Sequence, residues 1–155
     1  MKNRGLPSLI EIAILAYCAI MAADLPHSWV STPSVRYAWI AFAIWMVPWI
    51  WYVANQIRAD KEKGSTPILL GIAVAVSLVG TIGSLHVLNH FGLALAFAGM
   101  LPFSWPQLVW LGSFISWIPA LGWLTKLLAP LEQFVLQIAI AAFGSLWLLL
   151  KKDNS

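Results

Sequence analysis

His86 and His90 stand four residues apart with Asn89 between them, so on a helix both imidazoles share one face. Imidazole can ligate a metal, ligate a haem or chlorophyll, or move a proton near neutral pH. A metal site needs three or four ligands and a shell that orients them. Here His27 or a carboxylate would have to join the pair, and no motif of that kind is present, so no metal is expected. Two histidines on one helix cannot clamp both faces of one macrocycle. Single ligation of a haem or chlorophyll-type pigment by His86 or His90 stays open as the cofactor-binding reading. Asp24, Lys126, Glu132 and Gln133 are expected in the same layer.

The remaining reactive types read as structural. Cys18 is the single cysteine, which excludes an internal disulfide and a multi-cysteine metal site. It lies in an apolar run, where an inert buried thiol is expected. Glu11 follows Ser8 by three residues, the spacing of a capping box. No Gly-x-Ser-x-Gly or Ser-x-x-Lys arrangement, phosphate loop or zinc motif occurs, so no catalytic constellation is found and the chain is expected not to be an enzyme.

The elements that must carry these residues are apolar. Hydrophobic residues make up 61% of the 155-residue chain and charged ones 10%, against roughly 25% charged in soluble domains. That is too little polar surface for a water-soluble fold, and the expected fold class is all-α, a polytopic transmembrane helix bundle in one domain. The expected spans are 8–24, 36–57, 67–84, 87–101, 106–124 and 130–150. Residues 67–101 as one helix would run ~52 Å, too long for one crossing, so a turn is expected between Gly83 and His90. Whether this stretch crosses twice or is re-entrant stays open. Ser104 followed by Gln107 fits a second capping box. Thr32-Pro33, Thr66-Pro67 and Ala129-Pro130 place proline at helix starts; Leu101-Pro102 and Ile118-Pro119 mark exits or kinks. Pro48 falls inside the second span, where neighbouring helices can satisfy the freed carbonyl.

Lys2 and Arg4 ahead of the apolar run 9–23 resemble a signal peptide, but Met21 stands where a small residue is wanted before Asp24, so retention is expected. With six spans and both ends inside (N-in/C-in), seven basic residues are cytoplasmic, against Arg36 and Lys126 outside. A five-span arrangement gives six against three. The expected location is the cell inner membrane, multi-pass. The basic residues lie between apolar runs rather than along one face, which excludes nucleic acid as a partner; membrane lipids and other membrane-protein subunits are the partners expected.

Ten tryptophans are a heavy load. Trp29, Trp39, Trp117 and Trp123 fall near outer span ends, and Trp49, Trp51, Trp105 and Trp147 near inner ends, the positions of interfacial belts with some packing. The alternative is a flat aromatic surface facing a bound lipid, quinone or pigment. Small residues Ala73, Ser77, Gly80, Thr81 and Ser84 line one side of the third span, and Gly92 and Ala96 lie in the fourth. Such stripes let helices approach closely in lipid, and Ser77, Gly80, Ser84, Gly92, Ala96, Trp117 and Trp123 are the expected packing positions.

The glycine-bearing helix 92–99, Ser104-Trp105-Pro106, Ile118-Pro119 and Leu131-Glu132-Gln133 after Pro130 together resemble the exosortase/archaeosortase family of polytopic membrane transpeptidases, over about residues 90–150. The resemblance implies a helix start of Phe-Pro type, an Ile-Pro exit and a Pro-Leu-Gln start to the next helix. That family's catalytic cysteine, arginine and histidine follow this region. No such segment stands between here and Ser155, and Cys18 is far upstream, so no catalytic residue carries over. The expectation is therefore a non-catalytic subunit or accessory protein of a larger membrane complex on an exosortase-like scaffold. The alternatives are a component of a split exosortase-like transpeptidase, and a pigment- or haem-contacting subunit of a photosynthetic or respiratory complex.

Overall fold

The computed structural model describes residues 7–59, 64–119, 127 and 133–152. Among them the chain is helical and holds no strand: α1 (Leu9–Met21), α2 (Leu25–Ser31), a 3-10 turn (Pro33–Val35), α3 (Ala38–Ala59), α4 (Pro67–Ile82), α5 (His86–Gly99), α6 (Trp105–Gly112), a second 3-10 turn (Ser113–Ser116) and α7 (Gln133–Lys152). Three stretches are long and apolar enough to cross a membrane: Leu9–Ser31, Ala38–Gln56 and Gln133–Lys151. α4 has 16 residues and α5 has 14, or about 24 and 21 Å, short of a hydrocarbon layer of ~30 Å.

Both capping boxes form. Ser8 Oγ accepts from Glu11 N–H while Glu11 accepts from Ser8 N–H (2.8 Å), and Ser104 and Gln107 exchange the same pair of bonds. Pro67 opens α4 in the first turn. The 67–101 stretch turns over at Gly83-Ser84: Leu85 N–H donates to Gly80 C=O (2.7 Å) and Ser84 N–H to Thr81 C=O (3.3 Å). This is the two-bond Schellman closure of a helix end, with Ser84 at φ 54° in the left-handed position usually held by glycine. Thr66 N–H then bonds Gly99 C=O (2.8 Å), so the hairpin is pinned at its open end too.

α1 lies within the expected first span 8–24, and a turn at Ala22–Asp24 leads into α2, with Pro26 in its first turn. One span expectation is corrected. The fifth, expected as 106–124, is an α-helix only to Gly112. It tightens to 3-10 and leaves helical geometry at Trp117-Ile118 ahead of Pro119, whose ring disfavours helix in the residue before it. Residues 120–126 and the start expected at Ala129-Pro130 lie outside the described residues.

The helices form two packed groups. In the first, α1, α4 and α5 meet through small residues. A Cβ on Gly92 would stand 2.0 Å from Ser77 Oγ and one on Gly80 2.4 Å from Asn89 Oδ1, so only glycine permits this approach. Ser77, Gly80, Gly92 and Ala96 are buried in the contact, whereas Ser84 is exposed in the turn and Trp123 lies outside the described residues.

In the second group, α3, α6 and α7 are built around aromatic rings. Trp45 and Trp110 stack with centroids 4.1 Å apart and planes 10° from parallel. Each indole N–H donates to the other residue's carbonyl, at 2.9 and 2.8 Å. The Trp29 indole bonds Trp117 C=O (2.8 Å), and Phe42, Phe97 and Trp117 complete the cluster edge to face. Trp29, expected in an outer belt, is thus a core residue, as is Trp117, expected near an outer span end and as a packing position. Trp39, Trp51, Trp105 and Trp147 are exposed.

Tyr37 against Phe134 and Ile44 against Ser145 make α3 and α7 parallel, and Cys18 and Met21 against Ser77 and Thr81 do the same for α1 and α4. The start of α1, the end of α3 and the end of α7 therefore share one end of the bundle.

Pro48 carries no N–H, which leaves Ile44 C=O without its helical partner. Ser145 Oγ on α7 donates to that carbonyl at 3.0 Å. Ser145→Ala should cost about 1 kcal/mol in detergent unfolding titrations. In a Pro48→Ala background, which returns an N–H to the carbonyl, the same substitution should be nearly neutral. Equal costs in both backgrounds would show that this pairing contributes nothing.

Candidate functional site

The hairpin end of the first group brings together Asp24, His86 and His90. α1 stops at Met21, the chain turns through Ala22–Asp24, and Asp24 is the N-cap of α2. An aspartate there ordinarily accepts from the backbone of its own helix. Asp24 makes no such bond. Its carboxylate points instead to the first turns of α5, where Oδ1 lies 3.1 Å from His90 Nε2 and Oδ2 lies 3.3 Å from His86 Nδ1. The carboxylate sits at the N-terminal ends of both α2 and α5, where helix dipoles favour negative charge.

The two histidines differ in their surroundings. The His86 side chain is 69% exposed and that of His90 3%. An ionised carboxylate only accepts hydrogen bonds, which assigns the proton facing Asp24 to His90 Nε2. His90 Nδ1 is then the bare nitrogen, and it is buried without a partner. Burial leaves a macrocycle no approach to the His90 ring, so of the two candidate ligands only His86 presents an accessible one.

Below the carboxylate, polar contacts continue for two turns. Thr81 Oγ1 donates to Ser77 C=O (2.8 Å) and lies 3.5 Å from Asn89 Oδ1. Ser77 Oγ lies 3.5 Å from Cys18 Sγ, and both residues are fully buried. A shallow depression of about 260 Å³, lined by Asp24, Thr81, Ser84, His86 and Asn89 with Ile20 and Met21, opens beside the carboxylate. His27 is exposed on α2 and does not line it. Gln133 opens α7, and Lys126 and Glu132 lie outside the described residues. Among the described residues no three His, Cys, Asp or Glu side chains are grouped to hold a metal ion.

An apolar groove of about 330 Å³ lies at the other end, between α3, α6, α7 and the segment joining α5 to α6. Pro48, Trp51, Tyr52, Leu101, Phe103 and Leu148 line it, and Gln107 is buried in its wall. Its lining suits an alkyl chain rather than a charged ligand.

The histidine pair and its shared layer with Asp24 were visible in the sequence. That one carboxylate serves both rings was not, because Asp24 stands 66 residues before His90 and no local spacing links them. No protein-family model matches the chain, and no curated protein or solved structure matches it.

Asp24→Ala leaves His90 buried with neither nitrogen paired and should lower stability by about 2–3 kcal/mol. His86→Ala removes only an exposed contact and should cost at most about 1 kcal/mol. Unfolding titrations of the two variants check this order, and a larger loss for His86→Ala would reverse the assignment of the interior partner.

Proposed function

We propose that this chain is a polytopic subunit or accessory protein of a larger assembly in an inner membrane of bacterial type, without catalysis of its own. In this reading six apolar segments cross the bilayer and both ends are cytoplasmic. One observation carries it: large apolar side chains cover the outside of the bundle as well as filling its core. Leu9, Ile10, Val30, Ile68, Ile82 and Leu150 are largely exposed, while Ser77, His90, Gln107 and Ser116 are buried. A surface of that kind calls for lipid tails or the helices of other proteins.

The shortness of α4 and α5 supports the same reading, since a span shorter than the bilayer is accommodated by local thinning or by association with neighbours. The orientation is supported by Arg58 at the end of α3 and Lys151 at the end of α7, both at the bundle end where α1 begins.

Reporter fusions after Lys61 and after Lys151 are expected to report the cytoplasm at both points, and the protein gently extracted from its native membrane is expected to run above monomer mass with other chains bound. Fusions on opposite faces would overturn the orientation. A monodisperse monomer with no companion would overturn the subunit role.

The exosortase-like resemblance supplies a second reading, a component of a split sorting transpeptidase whose partner brings the cysteine, arginine and histidine. It is favoured by the α6 start at Ser104 with Pro106 in its first turn and by the helix break at Trp117-Ile118-Pro119, which fall where the resemblance expects a start and an exit. Deleting this chain should then abolish processing of a sorting signal by the partner; unchanged processing would remove this reading.

A further inference from the structure

Asp24 stands at the corner between α1 and α2, while His86 and His90 belong to the hairpin of α4 and α5, so these three side chains tie one part of the bundle to another. We propose that this tie is a proton-operated latch, in which a proton on His86 draws the α1–α2 corner onto the hairpin and its loss loosens that hold. This goes beyond the role in an assembly and does not depend on which face of a membrane the hairpin occupies.

The asymmetry of the two rings is what makes a latch rather than a plain cross-link. His90 is the fixed half, a buried ring hydrogen-bonded to one carboxylate oxygen. His86 is the variable half, open to solvent and 3.3 Å from the other carboxylate oxygen. Imidazole changes charge between pH 5 and 8. With a proton, His86 forms an ion pair with Asp24; without one, only a dipole faces the carboxylate.

Among the described residues, the titratable groups facing His86 are Asp24 from the α1–α2 corner and His90 from its own helix. α4 presents Gly80 and Thr81, and the turn after it presents Ser84, none of which titrates. The sign follows. The extra hold is present while His86 carries its proton and is gone once that proton is lost.

The native chain carries its own reporter. Cys18 lies under two turns before Asp24 on α1, fully buried against Ser77, and it reacts only when α1 moves off α4. In detergent-solubilised full-length protein, the rate of methyl methanethiosulfonate labelling of Cys18 is measured at pH 5.5 and pH 8.0 for wild type, His86→Gln, Asp24→Asn and His27→Gln. Dividing each variant's rate by the wild-type rate at the same pH cancels the thiol's own pH dependence.

His86→Gln is expected to label about threefold faster than wild type at pH 5.5, the scale of a partly exposed ion pair, and at the wild-type rate at pH 8.0. Asp24→Asn should be faster at both pH values, and His27→Gln should follow wild type throughout. A His86→Gln ratio that is the same at both pH values overturns the proposal. So does wild-type labelling in Asp24→Asn, or a pH dependence that disappears in His27→Gln instead.

Discussion

A carbonyl freed by proline in the middle of a 22-residue helix has to be paired from outside that helix, and the second helical group is organised around this requirement. Ser145 reaches Ile44 C=O only because α7 lies parallel to α3 at close range. One residue earlier on α7, Gly144 lets the helix settle against Ser113, where a Cβ would stand 2.1 Å from Ser113 Oγ. Ser113 in turn donates to Trp110 C=O (2.7 Å), the carbonyl that also receives the Trp45 indole. A single defect in one helix thus fixes a chain of neighbours.

The first group meets the same demand with smaller side chains. Where α4 and α5 touch, glycine and serine replace rings, and backbone comes close to backbone. This approach orients the N-terminal turns of α5 toward the α1–α2 corner and leaves Asp24 as the group that fills the gap. The groups are joined by rings rather than by charges: Phe97 of α5 lies within 5.1 Å of Trp49 and 6.0 Å of Trp45, and Phe91 stacks on Phe114. Edge-to-face contacts of this kind add about 0.5–1.5 kcal/mol each beyond the area they bury.

What could be read from the sequence was local. Ser8 with Glu11, Ser104 with Gln107, Thr66-Pro67 and the Gly83-Ser84 turn are signals set by neighbours within five residues, and each forms in the structure. The small-residue stripe at Ser77, Gly80 and Gly92 was legible because helical spacing alone aligns it. The pairing of Trp45 with Trp110 was not, since the partners are 65 residues apart and a tryptophan in an apolar run reads equally as belt or core. Trp29 was misplaced for the same reason. The layer of Asp24 was legible, but its bonds to both rings were not, since they join residues as many as 66 positions apart.

The parallel course of α3 and α7 bears on the order in which the chain assembles. The α4–α5 hairpin closes across a turn of a few residues, and such local contacts form early and rapidly. The contact of Ile44 with Ser145 spans 101 residues and has to wait until α7 has been synthesised. In the interval α3 holds an unpaired carbonyl and an open aromatic face. The proline-bearing helix is therefore the segment most exposed to wrong partners during biogenesis, and α7 is the clasp that ends that exposure.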